Sequence, residues 1–332
     1  MKKLTKVLIG AAVASAMSFG VQAGAAEITL TAAHTLNETH PTHLAFVEMA
    51  DLIKKNSNGR IEMQIFPNAQ MGSAAETLEM CLNGDVSIIN CGSPQLGTYA
   101  EEYHTFGLPF LFKDKAEYYK VMDSKKMQDF FLSTADKGFV TLTYLTSGQR
   151  SFYTPHKAIR SPADIKGLKI RVQNMKSQID MVKAMGGTPI AMAYGEVYTA
   201  LQTGVIDGTE NNELSLTEAN HGEICKVYSE DQHAMIPDTI VMSGKVWKEL
   251  SDADKKIVLD AAITAREHHK VAWDKAVAES MEKAKTKMGV QFVTDVDKGA
   301  FVKATEGLRQ DYAEQYPGVK SMLKLIDELK AE

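Results

Sequence analysis

Two arginines carry the chemistry that is easiest to read in this chain. Arg171 lies in Ser161-Pro162-Ala163-Asp164-Ile165-Lys166-Gly167-Leu168-Lys169-Ile170-Arg171-Val172, and Arg150 closes Gly148-Gln149-Arg150. Alternation puts Leu168, Ile170 and Val172 on one face of a strand and Lys169 with Arg171 on the other. The apolar face anchors the strand in a sheet. Arg171, near the carboxyl end, then points to the crevice where open α/β sheets bind ligands. A guanidinium there presents two parallel donors at fixed geometry with permanent charge, which suits a carboxylate. Two partners fit the residue pattern itself: a bound acid, or a neighbouring Asp or Glu of the protein. His40-Pro41-Thr42-His43 has the look of half a metal site, but H-x-x-H at a helix start without a companion Glu points to helix entry. For catalysis the chain offers no G-x-S-x-G, no H-E-x-x-H, no P-loop and no G-x-G-x-x-G after a strand. Neither enzymatic turnover nor a cofactor is expected.

The elements that must hold these residues follow from hydrophobic periodicity. Glu27 to Ala33 alternates as a strand. Pro41 suits a first helical turn, Leu44, Val47, Ala50 and Ile53 recur at helical spacing, and Asn58-Gly59 stops the run. Ile61, Met63 and Ile65 form a second strand closed by Pro67, Thr77 to Leu82 is helical up to Gly84, and Val86 to Cys91 is a third strand. This β-α-β-α-β order predicts a largely parallel sheet with helices on both faces. Phe139 to Leu145 and Leu168 to Val172 are further strands. Ser161 to Asp164 opens a short helix, and helices follow at Lys176 to Met185 and at Glu196 to Leu201, the latter ended by Gly204. Ser251 to Met288 contains neither proline nor glycine, is capped by Ser251 and is stopped by Gly289. Ile257, Val258, Ala261, Ala265, Val271 and Ala272 give it one apolar stripe. A helix of about 37 residues is about 55 Å long, more than the width of one domain, so it must cross two lobes.

Length and charge agree with an exported two-lobed protein. Lys2, Lys3 and Lys6 precede an apolar run from Val7 to Val21, and small residues at Val21, Ala23 and Ala25 offer cleavage near Ala23 or Ala25. The run is shorter than the roughly 18 to 20 residues of a membrane span, and no later stretch reaches that length without charge. Residues 1–26 are therefore expected to be a signal peptide, and the rest a soluble periplasmic protein without membrane insertion. No cysteine near the cleavage site offers a lipid attachment point. The remaining chain exceeds the roughly 100 to 200 residues of one domain. Residues 27–145 are assigned mainly to a first lobe, 146–238 mainly to a second, and 239–332 to C-terminal helices that include the long one. Losing the three lysines takes the formal net charge from −5 to −8, which disfavours nucleic acid or anionic lipid as partners. An acidic ligand then needs a local group of arginines. Cys81, Cys91 and Cys225 form no C-x-x-C and read as small buried apolar side chains, with a Cys81 to Cys91 bridge as the alternative.

The segment Ser161 to Val172, then Tyr194-Gly195-Glu196-Val197-Tyr198-Thr199-Ala200-Leu201-Gln202-Thr203-Gly204-Val205-Ile206-Asp207-Gly208, then Glu210-Asn211, resembles the solute-binding subunits of TRAP transporters, the tripartite ATP-independent periplasmic systems, in the DctP family. His40-Pro41, Gly59-Arg60-Ile61, Phe66-Pro67-Asn68-Ala69-Gln70-Met71-Gly72 and Leu108-Pro109-Phe110-Leu111-Phe112 support it, and the resemblance covers nearly the whole mature chain. It implies an α/β, two-lobed periplasmic binding protein fold, with a ligand cleft between the lobes and a long helix spanning both. By the same resemblance Arg171 is the carboxylate clamp, Arg150 a second arginine, and Asn211 a hydrogen-bond partner of the ligand. Asn174 and Tyr194 stand where members place a polar contact and an aromatic wall. Glu76 and His34 lie on segments that supply further contacts, and Asn90 to Ser93 ends a strand at the cleft. The implied function is capture of a small organic acid and its delivery to TRAP membrane subunits, driven by an ion gradient. Glu210-Asn211-Asn212, followed by His221, Glu223, Lys226, Tyr228, Asp231, His233, Pro237 and Asp238, is similar to members that bind hexuronates such as glucuronate or galacturonate. Four-carbon dicarboxylates and sialic acid are the alternative ligands, and another permease or a chemoreceptor the alternative partner.

Overall fold

The computed structural model describes residues 26–332, and the leader read from Lys2 to Ala25 lies outside the described residues. β1 (Ile28–Ala33) pairs in parallel with β2 (Ile61–Phe66) and with β3 (Ile88–Gly92). The helices between them, Pro41–Asn56 and Ala74–Asn83, begin where local chemistry dictates. Pro41 occupies the first turn of one, and Ser73 with Glu76 forms a reciprocal capping box on the other. Each arrangement satisfies or avoids amide donors that have no partner inside the helix.

The first sheet is mixed, where the sequence predicts a largely parallel one. β4 (Phe139–Leu145) does not sit against β3; between them runs β10 (Asp238–Ser243), antiparallel to both, giving the order β2-β1-β3-β10-β4. The segment 239–332, read as helical, therefore opens with a strand. Ile240 and Met242 pack with Phe46, Met49 and Val258 on one face, while Val241 packs with Leu78, Tyr103 and Phe139 on the other. A short run buried on both faces has no alternation, so periodicity does not separate it from helix.

The second sheet has the order β11 (Gln291–Val293), β9 (Val227–Ala234), β5 (Arg150–Thr154), β8 (Gly208–Asn211), β6 (Lys169–Val172), β7 (Thr188–Ala191). β6 is parallel to β7 and β8, and β5 is antiparallel to β8 and β9. At Gly208 a Cβ would stand 2.9 Å from the Tyr153 carbonyl oxygen, so a side chain there would push β8 off β5. The chain passes between sheets after β4 and after β9, and again along the 37-residue helix Asp252–Met288. Ser251 caps that helix through the Asp254 amide, and Gly289 ends it at φ 67. Val258, Ala261, Ala262 and Ala265 belong to the core of the first lobe, whereas Ala284 packs with Leu216, Cys225 and Tyr228 in the second. One helix is thus built into both lobes. Cys81, Cys91 and Cys225 are buried free thiols, so the Cys81 to Cys91 bridge is not formed.

Candidate functional site

A cleft of about 590 Å³ lies between the two sheets, within the roughly 300 to 1,000 Å³ of small-molecule sites. The carboxyl ends of β3 and β6 feed into it, carrying Asn90 to Gly92 from one lobe and Arg171, Gln173 and Asn174 from the other. Asn68, Gln95 and Asp238 complete the first wall, Arg150, Tyr194 and Asn211 the second, and Trp273 of the long helix reaches in.

Arg171 is 2% exposed. Its Nε and Nη2 donate to the Met192 carbonyl at 3.2 and 2.9 Å, and its guanidinium lies 5.9 Å from the centre of the Tyr194 ring. Among the described residues no carboxylate comes within 4.0 Å of it. Burial holds its pKa below the usual guanidinium value, with Glu210 pulling the other way and Arg150 adding to the depression. Desolvating a cation costs several kcal/mol unless an anion and hydrogen bonds compensate, so a buried guanidinium in a cleft is poised for a carboxylate.

Arg150 is the opposite case. It is 3% exposed, and its Nε and Nη2 grip the Glu210 carboxylate at 2.6 and 2.9 Å. Nη2 also donates to the Glu210 carbonyl at 3.0 Å, and Nη1 to Asn211 Oδ1 at 2.7 Å. Of five donor protons, one on Nη1 is left for the cleft. Burial alone would raise the Glu210 pKa, but Arg150 and His233 outweigh it and bring it to about 2. His233 in turn holds Asp231 at 2.7 Å and Glu210 at 3.3 Å. Burial disfavours its charge, yet the two carboxylates push its pKa up to about 9. The internal-partner reading therefore fits Arg150, and the ligand-facing reading fits Arg171. Arg150 still shapes the site, because Asn211 Oδ1 accepts from it and from the Asn212 amide at 2.9 Å, leaving Nδ2 as the free donor.

Five of the seven residues singled out in the sequence, Arg171, Arg150, Asn211, Asn174 and Tyr194, line this cleft together. Glu76 and His34 do not. The Glu76 carboxylate folds back to accept from the Ser73 amide and hydroxyl, both at 2.8 Å. His34 is buried behind the wall, with Nε2 3.0 Å from His43 Nδ1 and Nδ1 accepting from the Leu36 amide at 3.3 Å. Its neighbours Thr35 and Leu36 reach the cleft instead. His40 caps its helix by accepting from the Thr42 amide at 3.2 Å, and the described residues contain no cluster of three or more metal-ligating side chains. Sequence reasoning left out Gln95, Gln173 and Trp273, and named Asp238 only within the run likened to hexuronate-binding members, without a site role. Gln173 was within reach, since it continues the Lys169, Arg171 face of β6.

The histidines around the cleft make folding sensitive to acid. His34, His40, His221 and His269 each have a pKa lowered to about 3, with burial as the main cause. A folded pKa below the unfolded value of about 6.5 means full stability above pH 6.5, lost as pH falls toward 3. Asp238 and Glu213, raised by burial to about 6 and about 7, take up protons in the folded state and offset part of this. Between pH 6 and 4.5 the unfolded chain still binds more protons than the folded one through these six groups. Each proton of difference removes about 1.4 kcal/mol per pH unit. On the alkaline side the His233 contribution, complete below pH 6.5, disappears as pH rises through about 9. Unfolding midpoints should therefore fall on both sides, and a midpoint unchanged between pH 7 and 4.5 would refute the burial of neutral histidines.

A family model of bacterial extracellular solute-binding proteins, family 7 (DctP), matches residues 32–315. The chain belongs to this family. A family 7 chain is a solute-binding transport component, which agrees with a cleft whose two buried guanidiniums include one, Arg171, without a carboxylate partner among the described residues. YiiZ of Salmonella typhimurium is 35% identical over 288 residues, 86% of each chain. Among solved structures, a TRAP periplasmic solute-binding protein of Anaerococcus prevotii, with bound α/β-D-glucuronate, has a TM-score of 0.88 at 33% identity, covering 92% of this chain and 98% of that one. A TRAP protein of Xanthobacter autotrophicus, with bound β-D-galacturonate, has a TM-score of 0.86 at 34% identity, covering 91% and 99%. The two-lobed family 7 fold accounts for the two sheets and the shared helix. No helix among the described residues is long and apolar enough to cross a membrane.

Proposed function

We propose that this family 7 protein captures a hexuronate such as D-glucuronate or D-galacturonate in the periplasm, without turnover, and delivers it to TRAP membrane subunits. Arg171, a buried guanidinium with no carboxylate of the described residues within 4.0 Å, carries the reading. Apart from Arg150, already paired with Glu210, no other lysine or arginine among the described residues lines the cleft, and His40 there is held neutral by burial. One cation suits one carboxylate. A four-carbon dicarboxylate would need a second, whereas the amides of Gln95, Gln173, Asn174 and Asn211 suit ring hydroxyls. Both glucuronate and galacturonate occupy solved relatives at 33% and 34% identity. Closure follows from contacts made by the ligand to both walls at once, which favour the closed form over the open one.

A thermal-shift series over uronates, aldonates, succinate, malate and sialic acid tests the ligand class, because a solute that binds only the folded state raises the melting temperature. The largest shifts are expected with glucuronate and galacturonate. Larger shifts with succinate or malate would reject the uronate assignment, and larger ones with sialic acid would move it to a longer sugar acid. Mass spectrometry of the recovered ligand should return it unchanged.

A further inference from the structure

We propose that Asp238 determines specificity, accepting hydrogen bonds from ligand hydroxyls and repelling a second ligand carboxylate, so that the cleft takes a polyhydroxylated monocarboxylate and excludes dicarboxylates. This rests on the uronate reading above and names the residue on the first lobe that enforces it.

Asp238 opens β10, where its backbone pairs with Gly92 of β3 and Leu145 of β4. That places it mid-sheet, at the cleft end of the first lobe, while Arg171 stands on the second sheet. The cleft is therefore bipolar, with a cation on one wall and an acid on the other. Among the described residues the Asp238 carboxylate has no ion-pair partner within 4.0 Å and no hydrogen bond within 3.5 Å. Burial raises its pKa to about 6, with Arg150 opposing, which leaves it anionic at pH 7.5.

Gly92 shows how close the two walls come at this point. A Cβ there would meet Met175 Cε at 2.5 Å, Gln173 Nε2 at 3.8 Å and Asp238 Oδ1 at 3.9 Å. Glycine at 92 thus lets Gln173 and Met175 of the second lobe approach Asp238 of the first. Gln95 Oε1 and Gln173 Oε1 are buried and also lack a partner. Acceptors are accordingly supplied by Asp238 and Gln95 on the wall opposite Arg171 and by Gln173 on its own wall. Hydroxyl groups satisfy them, and a hydroxyl donating to a carboxylate makes a hydrogen bond roughly twice as strong as a neutral one. A four-carbon dicarboxylate anchored on Arg171 brings one hydroxyl donor (malate) or none (succinate) beside a like charge, so it leaves most of these acceptors unsatisfied and is repelled by Asp238.

The test is calorimetric titration at pH 7.5 of wild type, Asp238→Asn and Asp238→Ala with D-glucuronate and with L-malate. The asparagine is isosteric, and the alanine variant reads the same quantity if the asparagine variant fails to fold. The ratio of glucuronate to malate affinity is expected to fall at least tenfold in both variants, chiefly through weaker glucuronate binding. A smaller fall, in protein whose wild type binds glucuronate, overturns the role of Asp238 and leaves the uronate reading standing. A wild type that prefers malate overturns both. A merely structural Asp238 would weaken the two ligands together and leave the ratio unchanged.

Discussion

Replacing Arg171 by lysine is expected to weaken D-glucuronate binding by about 2 to 5 kcal/mol, roughly thirtyfold to several-thousandfold. The lysine keeps the charge but loses the planar fork, so a bidentate pair becomes a single contact. The companion expectation concerns the free protein. Arg171 is buried, donates to the Met192 carbonyl and is not paired with a carboxylate among the described residues, so it burdens the unliganded fold. Arg171→Met removes that desolvated cation and retains much of its bulk. It should abolish measurable binding while leaving the melting temperature of the free protein equal to or above wild type. Were Arg171 instead a structural ion-pair member, methionine would destabilise the free protein, and lysine would leave affinity unchanged.

Glu210→Gln is expected to destabilise the free protein by about 3 to 5 kcal/mol, read from the urea midpoint. Glu210 is fully buried between two cations, Arg150 at 2.6 Å and His233 at 3.3 Å. Removing its charge leaves Arg150 without its buried counter-ion and His233 with Asp231 alone, and the second sheet cannot solvate what remains. The same substitution weakens the grip on Arg150 Nε and Nη2, leaving Nη2 its bond to the Glu210 carbonyl, and Asn211 loses the rigid partner that orients its amide. Ligand affinity should drop as well, though less than for Arg171→Lys. An unchanged midpoint would show that the Arg150, Glu210, His233, Asp231 chain contributes no net stability.

These two arginines also show how far a single sequence reaches. Strand alternation around Arg171 was legible because its neighbours Ile170 and Val172 are apolar and its own face is the cleft face. Arg150 carried the same residue type, but its partner lies sixty positions away in Glu210, and only the pairing of β5 with β8 brings them together. The long helix was legible to its terminal residues, since Ser251 and Gly289 act locally on a run without proline or glycine. β8 and β9 escaped for the converse reason. Thr209, Glu210 and Asn211 are buried inside a strand, as are Asp231 and His233, and a polar strand interior is stabilised by long-range partners that local pattern does not contain. Glu76 and His34 fell on cleft segments, yet local hydrogen bonds to Ser73 and to Leu36 turn them away from the space their neighbours line.

The most direct measurement is a crystal structure of the protein with D-glucuronate. The account predicts both carboxylate oxygens within hydrogen-bond distance of the Arg171 guanidinium, the Arg150 to Glu210 pair intact, and ring hydroxyls directed to the Asp238 wall. A glucuronate whose carboxylate lies away from Arg171, or one that breaks the Arg150 to Glu210 pair to bind there, would contradict it.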